Sequence, residues 1–128
     1  MGTRSITNIF ETDELDGRLV CTFYRNFDGY PSGHGKDLSD WLKDKFLVNG
    51  IGAGFIEGLH HNRAGTMAIE LIHHIKQSTS VELIPTGSSE DYIDYTYNVT
   101  FEKGLFYIEI ISGDKSYKSN AKQFNPDD

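Results

Sequence analysis

The sequence predicts a single α+β domain in which an antiparallel sheet of about five or six strands carries two helices packed on one face. Three observations lead to this prediction. Segments rich in β-branched and aromatic residues lie towards both ends of the chain, two segments with helical periodicity lie between them, and 128 residues are enough for one hydrophobic core. We therefore assign residues 1–128 to one domain.

The first two strands are predicted over residues 3–11 and 18–26. The pair Asp16-Gly17 between them suits the positive φ angles of a tight hairpin turn, so these strands should pair antiparallel. Because side chains alternate along a strand, Arg25 ends one face of the second strand and Tyr24 ends the opposite face.

Two helices are predicted in the middle of the chain. The first covers residues 36–47, with Asp37 as a candidate cap at its start. Its apolar residues at helical spacing are Leu38, Trp41, Leu42 and Phe46. A glycine-rich stretch follows at 49–58, and the second helix then runs from Ala64 to about Gln77. Its apolar stripe consists of Ala64, Met67, Ala68, Leu71, Ile72 and Ile75.

The remaining strands are predicted at 80–84, 93–101 and 105–111, with a short final strand near 116–119. The segments 93–101 and 105–111 should form a hairpin, since only a short loop separates them. The tail from about residue 120 should be loose unless Phe124 docks on the domain.

The charge and composition restrict the function. A formal net charge of −7 argues against binding of long nucleic acid, which requires a basic face, but it leaves room for a small anion in a local basic pocket. The single cysteine, Cys21, excludes an internal disulfide and a cysteine-built zinc cluster. Without a signal peptide or a long apolar run, we expect a cytoplasmic protein that does not bind membranes.

One loop, YRNFDGYPSGHGKD at residues 24–37, concentrates residue types that suit a binding site. Its glycines precede a predicted helix, as in loops that bind anions through backbone amides. It is not a Walker loop, because five residues separate Gly29 from Gly35 and Asp37 occupies the position of the magnesium-binding hydroxyl. The simpler alternative is a turn that only connects a strand to a helix.

The side chains of this loop are those that a nucleotide would need. Tyrosine rings can stack on a base, basic side chains can pair with phosphate, and Asp28 can accept from a ribose hydroxyl or hold Arg25 in place. The candidate ligand-binding residues in the loop are Tyr24, Arg25, Asp28, Tyr30, His34 and Lys36.

A second candidate segment, LHHNRAG at 59–65, precedes the second helix. We interpret His60, Asn62 and Arg63 as possible lining of the same pocket as Arg25, and the simpler alternative is that Asn62 caps the helix. The chain has no HExxH or comparable spacing of metal ligands. We therefore predict no metal site and no cofactor.

Several segments together resemble a family of short proteins found in phages and in bacterial genomes that carry prophages. They are the opening MGTRS, the loop YRNFDGYPSGHG, the NG-rich stretch at 49–54 and the helix start Arg63-Ala64-Gly65. The resemblance covers most of the chain, and its specific part is the pattern YRxFDGYPxGxG. It implies a phage context, with the host cytoplasm as the location, and it implies no particular reaction.

The leading hypothesis is a non-enzymatic protein that sequesters a nucleotide-derived immune signal, such as a cyclic dinucleotide or an ADP-ribose derivative, and so acts against host defence. Because one small domain closes only a shallow pocket, we expect a homo-oligomer with the site near an interface. One alternative is a metal-independent phosphodiesterase that uses His34 with His60 or His61 as an acid/base pair. Another is an inhibitor of a host protein or a virion accessory protein.

Overall fold

The computed structural model describes residues 2–11, 18–48, 60–88, 92–102 and 105–125. In chain order its elements are β1 Ser5–Phe10, β2 Leu19–Arg25, a π-helical turn Pro31–Gly35, α1 Lys36–Leu42, β3 Phe46–Val48, β4 His60–Asn62, α2 Ala64–Lys76, β5 Val81–Ile84, β6 Tyr95–Glu102, β7 Leu105–Ser112, β8 Lys115–Asn120 and a 3-10 turn Ala121–Gln123. The predicted Asp16-Gly17 turn and the glycine-rich stretch at 49–58 fall outside the described residues.

Six strands form one sheet in the order β5-β2-β1-β6-β7-β8. Neighbouring strands are antiparallel, as predicted, except for β1 and β6, which pair in parallel from Ser5 beside Tyr95 to Ile9 beside Val99. The α+β class is confirmed, and the sheet is mixed instead of wholly antiparallel. Since β5 and β6 both run in the direction of β1, the connection between them must return along the sheet before β6 begins.

Both helices pack on one face of this sheet, as predicted. Alternate side chains of the central strands point to that face and meet the apolar stripes of α1 and α2. The almost fully buried side chains at this contact include Ile9, Phe23, Val99 and Ile108 from the strands and Leu38, Leu42, Met67, Leu71 and Ile75 from the helices. Since each such side chain stabilises the fold by about 1.5–3 kcal/mol, this layer supplies the main hydrophobic core.

The opposite face of the sheet, which we call the outer face, carries a row of hydrogen-bonded polar side chains. The Thr22 hydroxyl donates to Asn8 Oδ1 at 2.7 Å, and Asn8 Nδ2 donates to Asn98 Oδ1 at 3.1 Å. Asn98 Nδ2 continues the row to Glu109 Oε1 at 2.9 Å. The connection from β5 to β6 also reaches this face, since the Gly87 amide donates to the Thr22 hydroxyl at 2.9 Å.

The first helix is shorter than predicted. It ends at Leu42, and Phe46 begins β3 instead of continuing the apolar stripe. β3 pairs in parallel with β4, from Phe46 beside His60 to Val48 beside Asn62. The spacing of Phe46 fits a helix, but the run Phe46–Val48 is apolar and rich in β-formers, and pairing with a distant segment decides its structure.

Neither predicted helix cap is present. The N-cap of α1 is Gly35 and that of α2 is Arg63, and neither end has a capping hydrogen bond from a side chain. Asp37 lies instead in the first turn of α1, where its carboxylate accepts from Arg25. Asn62 is the last residue of β4 and lies two residues before α2 begins, so it is part of a strand and not the N-cap.

The C-terminal segment is docked as far as residue 125. The predicted final strand is confirmed as β8, and the 3-10 turn after it places the half-buried ring of Phe124 against the hydrophobic core. A Cβ added to Gly35 would lie 2.8 Å from that ring, so the two segments are in close contact. Among the described residues, no helix is long and apolar enough to cross a membrane.

Candidate functional site

The loop between β2 and α1 is closed by its own backbone. Asp28 has a φ of 59°, so the residue in the left-handed conformation is an aspartate and not one of the glycines. The Gly29 amide donates to the Thr3 carbonyl at 2.9 Å, and the His34 amide donates to the Asp28 carbonyl at 2.8 Å. A Cβ on Gly29 would lie 2.7 Å from the Thr3 oxygen. These amides hold the turn, and Gly29 allows the loop to approach the start of β1.

The side chain of Arg25 joins this loop to α1. Its Nε donates to the Phe27 carbonyl at 2.6 Å, and one terminal nitrogen donates to His34 Nδ1 at 3.1 Å and to Asp37 Oδ2 at 2.7 Å. The Arg25 side chain is 5% exposed, whereas that of Asp37 is 43% exposed. Arg25 is therefore paired in a buried network, and its carboxylate partner is Asp37 and not the predicted Asp28.

His34 is the centre of this network and is completely buried. A guanidinium group can only donate, so Nδ1 of His34 must accept from Arg25, and Nε2 must carry the ring proton. Nε2 lies 2.6 Å from Oγ1 of Thr7 and donates to it. Burial, followed by the positive charge of Arg25, lowers the pKa of His34 from 6.5 to about 3. The imidazole is neutral at physiological pH and has both nitrogens hydrogen-bonded inside the protein.

This arrangement fixes three elements relative to one another. Thr7 belongs to β1, Arg25 to β2 and His34 to the π-helical turn, and the His34 ring also contacts the rings of Phe23 and Tyr97 edge-on, at centroid distances of 5.9 and 4.8 Å. A general acid or base must reach a proton of its substrate. Because His34 is enclosed, its geometry favours a structural role.

On the outer face of β2, a cleft with a volume of about 480 Å³ is open to solvent. It is lined by Arg4, Tyr24, Asn26 and Tyr92. Alternation along β2 directs Tyr24 away from the buried network that Arg25 forms on the other face. The parallel pairing of β1 with β6 brings Tyr92 beside Arg4, because residue 92 lies just before β6.

The walls of the cleft are two aromatic rings and a guanidinium group. The Tyr24 and Tyr92 rings meet nearly at right angles, with centroids 6.4 Å apart. The Arg4 guanidinium lies over the Tyr92 ring, with its central carbon 5.5 Å from the ring centroid. This cation–π contact orients the planar guanidinium group. The Tyr24 hydroxyl donates to Asn26 Oδ1 at 3.0 Å. This combination can stack on a planar ligand and donate hydrogen bonds to its edge.

Other clefts among the described residues lie along β7 and β8. One, of about 580 Å³, includes Tyr107 and Lys118, and another, of about 320 Å³, includes Pro31 and Tyr117. No protein-family model, curated protein or solved structure matches this chain. Side-chain chemistry therefore selects between the clefts, and the cleft at Tyr24 has paired aromatic walls with a guanidinium group held against one of them.

Three more of the predicted residues lie on the exposed surface of the loop and α1. The Tyr30 hydroxyl donates to Asp28 Oδ1 at 3.1 Å, and this hydrogen bond raises the pKa of Tyr30. Lys36 pairs with Asp40 at 2.9 Å, and that hydrogen bond raises the pKa of Lys36. Asp28, Tyr30 and Lys36 are thus in contact with solvent, and none of them lines the cleft at Tyr24.

The second predicted segment forms β4 and the start of α2. His60 stacks on Phe46 at a centroid distance of 5.3 Å, while His61 is 7% exposed and packs 5.2 Å from the Trp41 ring. Burial, with a smaller contribution from the charge of Lys45, lowers the pKa of His61. The side chain of Asn62 lies outside the described part of the chain.

Arg63 joins this segment to the far end of β1. Its φ of 74° and ψ of 156° are unusual for a residue other than glycine, and its guanidinium forms an ion pair with Glu11. Arg25 is paired in register with Ser5, at the other end of β1. A rise of about 3.4 Å per residue puts roughly 20 Å between Ser5 and Glu11. The structure therefore does not bring Arg25 and Arg63 into one pocket.

Sequence reasoning found Tyr24 but missed the other three residues of its cleft. Alternation along β2 is a signal that could have found Asn26, since it lies two residues beyond Tyr24. Arg4 and Tyr92 carry no such signal. They meet only because β1 and β6 are parallel neighbours, a pairing between segments about 90 residues apart that local sequence patterns do not encode.

Proposed function

We propose that this protein binds a small nucleotide-derived ligand in the cleft formed by Arg4, Tyr24, Asn26 and Tyr92. The observation that carries the proposal is the pair of tyrosine rings set at right angles, with the Arg4 guanidinium against one of them. Nucleobases bind proteins by stacking on tyrosine rings and on guanidinium planes.

The biological role that we propose is sequestration of an immune signal such as a cyclic dinucleotide or an ADP-ribose derivative, by a phage-type protein in the host cytoplasm. This context rests on the resemblance of the YRxFDGYPxGxG segment. A cleft lined by four side chains covers only part of such a ligand. A homo-oligomer, in which a second copy covers the remaining part, would supply the missing contacts.

Isothermal titration calorimetry with a panel of cyclic dinucleotides and ADP-ribose cyclisation products tests the proposal. We expect at least one ligand to bind, and Tyr92→Ala to weaken its binding about tenfold or more, because base stacking contributes about 1–3 kcal/mol. The Tyr92 side chain is 54% exposed, so its removal should leave the fold intact. Tyr107→Ala is the matched control, since it removes a ring from another cleft of the same sheet. Absence of binding throughout the panel, or equal losses in both variants, would refute the proposal.

Chromatography of the ligand after incubation separates sequestration from the phosphodiesterase alternative. A sequestering protein returns the nucleotide intact after heat denaturation, whereas an enzyme returns a changed one. The structure supports the enzymatic alternative less well than binding in the cleft, because His34 is buried and both of its ring nitrogens are hydrogen-bonded inside the protein. The alternative of an inhibitor that binds a host protein is supported by two exposed aromatic side chains on one loop, Phe27 (51% exposed) and Tyr30 (39% exposed).

A further inference from the structure

We propose that the cleft selects guanine over adenine. This inference rests on the proposed function and narrows its ligands to guanine-containing cyclic dinucleotides, because ADP-ribose derivatives carry adenine. Two side chains of the lining, Arg4 and Asn26, offer hydrogen-bond donors to a ligand. Arg4 can only donate, and Asn26 has its acceptor oxygen already bonded to the Tyr24 hydroxyl. A base that offers acceptors on one edge fits such a cleft, and a base that offers a donor at the same place does not.

Arg4 is the main donor of the cleft. Its backbone amide donates to Asp94 Oδ2 at 2.9 Å, and that contact leaves the side chain uninvolved. Among the described residues, no carboxylate lies within salt-bridge distance of its guanidinium, whereas Arg18, Arg25 and Arg63 each pair with one. The guanidinium is held instead over Tyr92, with its in-plane N–H groups available to a ligand.

Asn26 supplies a second donor. Because its Oδ1 accepts from Tyr24, its amide is oriented with Nδ2 directed away from that hydroxyl. The hydrogen bond also fixes the Tyr24 ring, which forms one wall of the cleft. The two donors therefore lie on a frame that is set before a ligand arrives, which lowers the entropic cost of binding.

Guanine and adenine differ at the edge that such donors would meet. Guanine presents two acceptors there, N7 and O6, while adenine presents the acceptor N7 beside a donor amino group. A guanidinium group pairs with both guanine acceptors at once, but it places donor against donor when the base is adenine. Discrimination by one such bidentate contact is about tenfold or more.

The charge of the region favours contact with the base over contact with phosphate. Arg4 is the one cationic side chain in the lining, and Tyr24 is paired in register with Glu82, whose carboxylate side chain is exposed on the same face. If Arg4 binds the base edge, no cation of the lining remains for a phosphate, and the nearby Glu82 carboxylate repels one. Removal of the phosphate should then change the affinity little.

Calorimetric titration of the full chain with GMP, AMP and guanosine tests the inference. We expect GMP to bind about tenfold or more tightly than AMP, and guanosine to bind within about threefold of GMP. Arg4→Gln should abolish the preference for GMP over AMP, and Asn26→Asp, which replaces a donor by an acceptor, should shift it towards AMP. Arg18→Gln is the matched control, because it removes an exposed guanidinium from another part of the surface. Circular dichroism checks that each variant is folded.

The outcomes separate this inference from the function on which it rests. If AMP binds as tightly as GMP and Tyr92→Ala weakens both, the cleft binds nucleotides without selecting guanine, and only the inference fails. If GMP binds but guanosine does not, Arg4 acts on phosphate, and the inference fails in the same way. If neither these compounds nor the cyclic ligands bind, both proposals are overturned.

Discussion

Replacing His34 by glutamine should remove much of the acid sensitivity of folding. His34 is neutral in the folded protein, because burial and then the charge of Arg25 lower its pKa from 6.5 to about 3. In the unfolded chain the ring takes up a proton once the pH falls below 6.5. Between these two values the unfolded state binds more protons, so the free energy of unfolding falls as the pH falls.

The size of the effect follows from this difference in pKa. The contribution of His34 is complete above its unfolded pKa and declines by at most about 1.4 kcal/mol per pH unit below it. Acidification from about pH 6.5 to about pH 4.5 should therefore lower the free energy of unfolding by about 2 kcal/mol. With urea m-values of about 1–3 kcal/mol/M, the midpoint of unfolding should fall by about 1 M.

Glutamine is the informative replacement at this position. It has one acceptor, which can serve Arg25, and one donor, which can serve Thr7, so the variant keeps both kinds of hydrogen-bonding group without a titrating one. The ring contacts with Phe23 and Tyr97 are lost, which lowers the stability of the variant equally at both pH values. Only the difference between the two pH values reports on the charge of residue 34.

The assay is urea unfolding of both proteins at the two pH values, followed by circular dichroism. His73→Gln is the matched control, because His73 is exposed on α2, where it hydrogen-bonds Gln77. Some acid sensitivity should remain in every variant, since burial also lowers the pKa of His61. The reasoning is refuted if the midpoint of His34→Gln falls as far on acidification as that of the unmodified protein.

Two further predictions concern the loop. Gly29→Ala should destabilise the fold by about 1–3 kcal/mol, because the new methyl group would lie 2.7 Å from the Thr3 carbonyl oxygen. Gly65→Ala is the control: a Cβ there has no neighbour closer than 4.0 Å, so this variant should be neutral or more stable by up to about 1 kcal/mol. Equal midpoints of urea unfolding for the two variants would contradict the prediction. Arg25→Met should cost about 2–5 kcal/mol, since it leaves Nδ1 of His34 and the Phe27 carbonyl without their donor, at about 1–3 kcal/mol each. Asp37→Asn should cost less than Arg25→Met, because that side chain is 43% exposed and the amide oxygen of asparagine can still accept from Arg25. Thermal unfolding in which Asp37→Asn is the more damaging change would refute the assignment of Arg25 to a buried network.

The regular part of the fold could be predicted because local patterns determine it. The stripe from Ala64 to Ile75 has an unbroken helical period, and the structure places α2 at Ala64–Lys76. The strands of the hairpin β6 and β7 alternate as predicted, with Val99 and Ile108 buried beside each other. In these segments propensity and burial favour the same structure, so the tertiary environment changes nothing.

The predictions that proved wrong depend on contacts between distant segments. Phe46 leaves the helical pattern because a parallel partner, β4, becomes available. Asp37 does not cap α1 because the π-helical turn runs directly into the helix and leaves Asp37 inside its first turn, where its carboxylate accepts from Arg25, twelve residues earlier. Arg25 itself was correctly placed at the end of an apolar face of β2, but its partners could not be identified, since His34 enters the interior only through the π-helical turn.

The buried network and the open cleft are two faces of one structural element. Arg25 and Tyr24 are neighbours in β2 and point to opposite sides of the sheet, so a constraint on one limits the movement of the other. The Arg25 guanidinium is hydrogen-bonded to Phe27, His34 and Asp37. It therefore fixes the end of β2 from which Tyr24 and Asn26 project into the cleft. In the proposed binding, residues 27–37 of this loop act without contact with the ligand, because their close packing against β1 holds Arg25 in place.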